Sequence, residues 1–132
     1  IPEPVKDIKH AKIAIVTSSG VVPQGNPDHI ESSNATRFGY YSSEGMDRLD
    51  KKDFFTVHGG YDRQFVLENP NLAVPVDALR NLEKAGEFGE LVNYFAATTG
   101  TGTATGSAAK FGDAIGKRLL EENVQAVILT ST

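Results

Sequence analysis

His58-Gly59-Gly60-Tyr61-Asp62 is the densest polar cluster in this 132-residue sequence. An imidazole beside two glycines can be exposed by a tight turn. A carboxylate close by can orient its ring, so His58 reads as a candidate general acid or base with Asp62 as its partner. The same residues also read as a turn in which His58 only satisfies its own backbone. Three further stretches share one composition: Thr17-Ser18-Ser19-Gly20, Thr98-Thr99-Gly100-Thr101-Gly102 and Thr130-Ser131-Thr132. Hydroxyls and bare N–H groups at a helix N-terminus suit an anionic ligand such as a carboxylate or phosphate, although Ser, Thr and Gly populate ordinary loops as well. The run from Gly100 to Gly106 approaches a dinucleotide-binding turn, but its third glycine comes one residue late and no acidic residue follows the next strand. A nucleotide-binding oxidoreductase is therefore the weaker reading, and no NTPase-type phosphate loop is present. His10 and His29 have no polar cluster around them and read as surface residues. Asn34-Ala35-Thr36 matches a glycosylation acceptor without any secretory signal to give it meaning.

These residues need elements to position them. Residues 12–17, Lys-Ile-Ala-Ile-Val-Thr, form a short β-branched-rich run without alternation, which predicts a strand covered on both faces. Residues 91–97 and 124–129 predict two more. Between the second and third lies a helix-period segment reaching Glu122, with Ala108, Phe111, Ile115 and Leu119 on one face. Gly106, Gly112 and Gly116 weaken that helix by about 1 kcal/mol each relative to Ala, so close packing against them is expected. Asn123 is its expected stop. A short helix over 78–85 is predicted from Asp77 as cap, Leu79 and Leu82 on one face, and Gly86 as terminator. Strand, helix, strand is a right-handed crossover joining parallel strands, so the fold class is α/β with a mainly parallel sheet and crossover helices. If the three strands are parallel, their hydroxyl-bearing ends share one rim, where open α/β sheets bind ligands.

Residues 18–70 show no sustained period and are rich in turn signals, with short elements expected around 46–52 and 54–57. Their aromatics, among them Phe38, Tyr41, Phe54 and Phe65, argue for packing over disorder. We read 1–132 as a single α/β domain fragment, with residues 1–10 a linker and 18–70 a long irregular segment. Gly (13) and Pro (6) stay below the roughly 25–30% that marks low-complexity chains. The formal charge of -4, with scattered basic residues, argues against a nucleic-acid partner. No long apolar run or charged-then-apolar leader is present, so neither a membrane nor secretion is expected and the cytoplasm is the expected compartment. Absence of cysteine excludes a disulfide framework and a thiolate nucleophile within these residues, and no metal site is expected.

Several blocks carry a family resemblance. They are residues 11–33 (Ala-Lys-Ile-Ala-Ile-Val-Thr-Ser-Ser-Gly-Val-Val-Pro-Gln-Gly-Asn-Pro-Asp-His-Ile-Glu-Ser-Ser), His58-Gly-Gly-Tyr-Asp, Asn69-Pro, Pro75-Val-Asp-Ala-Leu-Arg and Ala126-Val-Ile-Leu-Thr-Ser-Thr. In this order they resemble the selenoprotein subunit of component B of glycine, sarcosine and betaine reductases. The selenoprotein subunit of D-proline reductase is similar in the second and last blocks, but Glu31-Ser32-Ser33 fits the glycine-type branch better. The resemblance implies a reductase that cleaves the C–N bond of its substrate. A pyruvoyl group on a partner subunit captures glycine as an imine, and its N-methyl relatives by related chemistry, a selenol helps break the bond, and the two-carbon unit passes through components A and C to acetyl phosphate. It also implies a selenocysteine directly after Thr132, so the sequence is expected to halt at the selenocysteine codon and to lack the nucleophile. The opening Ile1-Pro2 is likewise expected to be an internal cut. On this reading His58 serves as proton donor to a departing amine or as partner to the selenol. Thr17, Ser18, Ser19, Gly59, Gly60, Thr99, Gly100, Thr101, Gly102, Ser131 and Thr132 hold the carboxylate or stabilise a selenolate. A substrate-binding or subunit-docking module is the rival reading. A piece without its next helix is expected to bury an apolar face by self-association.

Overall fold

The computed structural model describes residues 2–132, and the linker reading at Ile1 lies outside them. In chain order the elements are β1 (Lys12–Thr17), β2 (Val21–Pro23), β3 (Gly39–Ser42), β4 (Phe54–Thr56), α1 (Gln64–Glu68), α2 (Val76–Lys84), β5 (Glu90–Ala97), α3 (Thr105–Glu121) and β6 (Ala126–Thr130). Short 3-10 turns occupy Ile8–His10 and Pro70–Leu72. The main sheet has the order β3-β5-β1-β6, with β1 parallel to both neighbours and β3 antiparallel to β5. The class is therefore α/β with a mixed, mostly parallel sheet.

Both faces of β1 are covered, as its unbroken aliphatic sequence requires. On one face Ile13, Ile15, Leu91 and Phe95 pack with Val21, Val22 and Phe54 of the two-stranded antiparallel β2–β4 sheet, with Leu49, and with Val76 and Leu79 of α2. On the other, Ala14, Val92 and Ala96 meet Phe111, Ile115 and Leu119 of α3. Each fully buried large side chain contributes about 1.5–3 kcal/mol. The far end of α3 is clasped to the sheet. The Arg118 guanidinium lies 4.2 Å from the ring centroids of both Tyr40 and Tyr94, and Glu122 accepts from Arg118 Nε and from the Tyr94 hydroxyl. Burial and the Glu122 carboxylate both push the Tyr94 hydroxyl pKa upward, so it stays a donor.

Several expectations need correction. Within 18–70, β4 falls where a short element is expected at 54–57, but β2, β3 and the one-turn α1 are not expected, being too short to show a period, and β3 joins the main sheet. The stretch 46–52 forms turns instead, tied down by Asn71, whose side chain accepts from Leu49 N–H (2.9 Å) and donates to its carbonyl (2.8 Å). Asp77 lies inside the first turn of α2, where it accepts from Ala78 N–H. Leu82 is exposed while Leu79 is buried. Gly86 does stop the helix, at φ +74°. A Cβ on Gly106, Gly112 or Gly116 would meet nothing within 4 Å, so the packing expected to compensate these glycines is absent from the described residues. Ala108 also lies outside the buried face. Replacing Phe95, which is fully buried against Tyr41 and Phe54, is expected to cost about 3–5 kcal/mol as Phe95→Ala. Leu72→Ala, at an exposed position, should stay within about 0.5 kcal/mol; denaturant unfolding of both variants measures the contrast.

Candidate functional site

Parallel pairing brings the three hydroxyl-bearing ends together. Thr17 stands opposite Ala97 on one side and Thr130 on the other. Beyond the strands the loops bond one another: Ser18 N–H donates to the Thr130 carbonyl (3.1 Å), Gly100 N–H to the Ser18 carbonyl (2.9 Å) and Gly20 N–H to the Thr98 carbonyl (2.9 Å). Ser18 Oγ donates to Ser131 Oγ at 3.3 Å. On the α3 face this rim opens into a groove of about 360 Å³ between α3 and β6, with Ser18, Gly100 and Ser131 at its mouth and Phe111 and Leu129 along it.

The expected site residues fall into two groups. Thr17, Ser19 and Thr99 are buried. Thr17 and Ser19 hydrogen-bond each other at 2.7 Å, so their hydroxyls are spent inside the protein. Thr99 Oγ1 has no partner among the described residues. Ser18 and Thr101 are half-buried, while Gly59, Gly60, Gly100, Gly102, Ser131 and Thr132 lie at the surface. Gly102 takes φ +66° with the Asn34 side chain against it, and Thr103 Oγ1 ties that loop down by donating to the Thr99 carbonyl and accepting from Ala35 N–H.

His58 sits under the same loop, on the opposite face of the sheet from α3, and is only 3% exposed. Gly60 N–H donates to its Nδ1 at 2.9 Å, which places the ring proton on Nε2. Nε2 faces Thr101 Oγ1 at 3.1 Å, and the ring stacks obliquely on Tyr61. Asp62 does not orient the ring; its carboxylate accepts from Gln64 N–H instead. A tight turn spends a following carboxylate on nearby backbone, whereas the imidazole partner arrives from a loop 43 residues on. Burial pushes the His58 pKa below its ordinary 6.5, so the ring is neutral near pH 7 and offers a hydrogen bond more readily than an acidic proton.

Two residues not singled out as site residues complete this network. Thr56 is fully buried; its hydroxyl donates to the Ser19 carbonyl and accepts from His58 N–H and the Tyr61 hydroxyl. Tyr61 was visible in the polar cluster, but nothing in Phe-Phe-Thr marked Thr56. Among the described residues no group of three or more His, Asp or Glu side chains is placed to hold a metal ion. Among the described residues no helix is long and apolar enough to cross a membrane.

Two outcomes follow from this packing. Gly20 has φ +70°, and a Cβ there would lie 2.9 Å from His58 Cβ and its backbone nitrogen, so Gly20→Ala is expected to lose about 2 kcal/mol or more in denaturant unfolding. Because the folded-state pKa of His58 lies below the unfolded one, the unfolded chain binds the extra proton. Its contribution is complete above about pH 6.5 and declines as pH falls through the lowered folded pKa. Thermal unfolding across pH 5–8 should show that decline in the parent and less of it in His58→Gln.

Comparison with known proteins places this geometry in a family. The model described as glycine/sarcosine/betaine reductase selenoprotein B matches residues 1–132. The component B subunit beta of the sarcosine reductase complex of Peptoclostridium acidaminophilum is 58% identical, covering 99% of this chain and 30% of that protein. From the same organism, the component B subunit gamma of the glycine reductase complex is 51% identical (97% of this chain, 29% of the relative). The component B subunit beta of its betaine reductase complex is 44% identical (100% and 30%). The chain thus spans about 30% of the length of the curated relatives it matches. No solved structure matches it. With the family model matched over residues 1–132 and two of the three hydroxyl-bearing strand ends lying in blocks that carried the resemblance, this chain belongs to the glycine/sarcosine/betaine reductase selenoprotein B family.

Proposed function

We propose that the rim is part of the substrate site of a reductase subunit that acts on a small amine carboxylate, cleaving the C–N bond of glycine, sarcosine or betaine on the way to acetyl phosphate. The observation that carries this reading is the meeting of three strand ends, with Ser18 Oγ and Ser131 Oγ 3.3 Å apart at the mouth of a groove. In the full-length subunit a selenocysteine after Thr132 would stand beside these hydroxyls. A pyruvoyl group on a partner subunit of component B would supply capture of glycine as an imine, with related chemistry for its N-methyl relatives, and components A and C would take the two-carbon product onward.

This chain's own residues bind and orient. Ser18 and Ser131 offer hydroxyl donors to the substrate carboxylate. Thr101 holds the neighbouring loop over His58, and a neutral His58 with its proton on Nε2 fixes the Thr101 hydroxyl. His58 then acts through Thr101 as a positioning residue, since Gly60 N–H on Nδ1 and Thr101 Oγ1 beside Nε2 engage both ring nitrogens within the protein. Among the three substrates, the 58% identity to a sarcosine reductase component puts sarcosine first.

The test uses the full-length, selenocysteine-containing subunit assembled with its partners, with substrate-dependent acetyl phosphate as readout. Ser18→Ala should raise KM by roughly tenfold or more, the size expected for losing a hydrogen bond to a charged group. His58→Gln should raise KM more than it lowers kcat. Unchanged kinetics in both variants with all three substrates would remove the rim from the site.

A further inference from the structure

β6 is the strand with the least complete surroundings. Its sequence, Ala126-Val-Ile-Leu-Thr130, is aliphatic and uncharged, which suits a strand paired on both edges and covered on both faces. Among the described residues it pairs with β1 alone. Val127 and Leu129 on its α3 side are 41% and 77% exposed. Edge strands ordinarily carry a lysine, a proline or a bulge against unwanted pairing, and β6 carries none. The adjoining ridge of α3 repeats the pattern at four-residue spacing: Gly112 and Gly116 face open space and Leu120 is 76% exposed.

We propose that this surface is an internal interface of the full-length subunit, in which a further parallel strand pairs with the free edge of β6 and the helix leading to it lies along the Gly112–Gly116–Leu120 ridge. Handedness selects the side. The crossover from β5 to β6 steps over β1 with α3 on the face of Ala14, Val92 and Ala96. A second right-handed crossover outward from β6 lays its helix on that same face, beside α3. Glycines on the contact ridge let a helix approach closely, which accounts for two that otherwise only weaken α3. The material is at hand, since the chain spans 30% of the length of its sarcosine reductase relative. A second copy is the poorer occupant, because two identical edges related by a two-fold axis pair antiparallel and extend the sheet without supplying that crossover helix. The proposal is argued from the free edge of β6 and the open ridge of α3 and uses none of the hydroxyls of the rim, although the helix it places would wall the groove that opens there.

The experiment places cysteine at two positions of the full-length subunit, as Leu129→Cys and Leu120→Cys. Maleimide labelling is followed by peptide mass in native and in denatured protein. Labelling at both positions should be slowed at least about tenfold in the native protein, independently of protein concentration. Labelling at the denatured rate overturns the proposal, as does protection that disappears on dilution, which assigns the face to a second copy. Should the variants not fold, hydrogen exchange of the unsubstituted subunit decides: protection of every amide over residues 126–130 supports a strand paired on both edges, and fast exchange of alternate amides overturns it.

Discussion

Parallel pairing on both sides of β1 is the constraint on which the rest of the molecule depends. A strand with parallel neighbours at both edges ends at the same level as they do, so Thr17, Ala97 and Thr130 stand in one row and the chain leaves all three strands on one side of the sheet. Backbone groups at that level are partly buried and need partners. They find them in each other: Thr98 N–H reaches the Thr17 carbonyl, Ser18 N–H reaches Thr130 and Gly100 N–H reaches Ser18. Because the loops brace one another through main chain, the side chains of Ser18 and Ser131 meet each other at the mouth of the groove.

The same crowding explains the chemistry of His58. The loop after β1 turns through a left-handed Gly20 packed directly against the histidine, so no side chain fits between them. A ring enclosed by Gly20, Tyr61 and Thr101 loses hydration, and burial then favours its neutral form. One backbone N–H, from Gly60, decides which nitrogen carries the proton. Elsewhere the polar groups serve architecture. Arg80, buried beneath the loop after β3, donates to the carbonyls of Ser43 and Met46, to Asn93 and to Glu83, fastening α2 to the bulged part of β5. Arg118 performs the corresponding task between α3 and the aromatic pair Tyr40 and Tyr94.

The two faces of the sheet differ in how fully they are closed. The β2–β4 pair, α2 and the loops between them cover the face of Ile15 and Phe95, leaving both at 2% exposure or less. The opposite face has one helix for four strands, and it leaves Leu129 and Leu120 in the open. That asymmetry accords with a chain that matches only three tenths of its relatives' length. It also sets the groove at the boundary between the packed and the open halves.

Composition and pattern alone determined β1, β5, β6, α2 and α3 to within about two residues, because unbroken aliphatic runs and a 3.6-residue period are local consequences of burial. They also determined that three Ser- and Thr-rich ends follow those strands, and the blocks around the first and the third carried part of the family likeness. Tertiary structure alone decided that β3, four residues with no readable period, adds an antiparallel strand to the sheet. It alone decided that Thr17 and Ser19 turn inward while Ser18 and Ser131 meet, and that His58 answers to Thr101 rather than to Asp62. The physical reason is range: periodicity records which residues are buried, whereas a hydrogen bond between residues 43 or 113 positions apart exists only once the sheet has brought their loops to one edge.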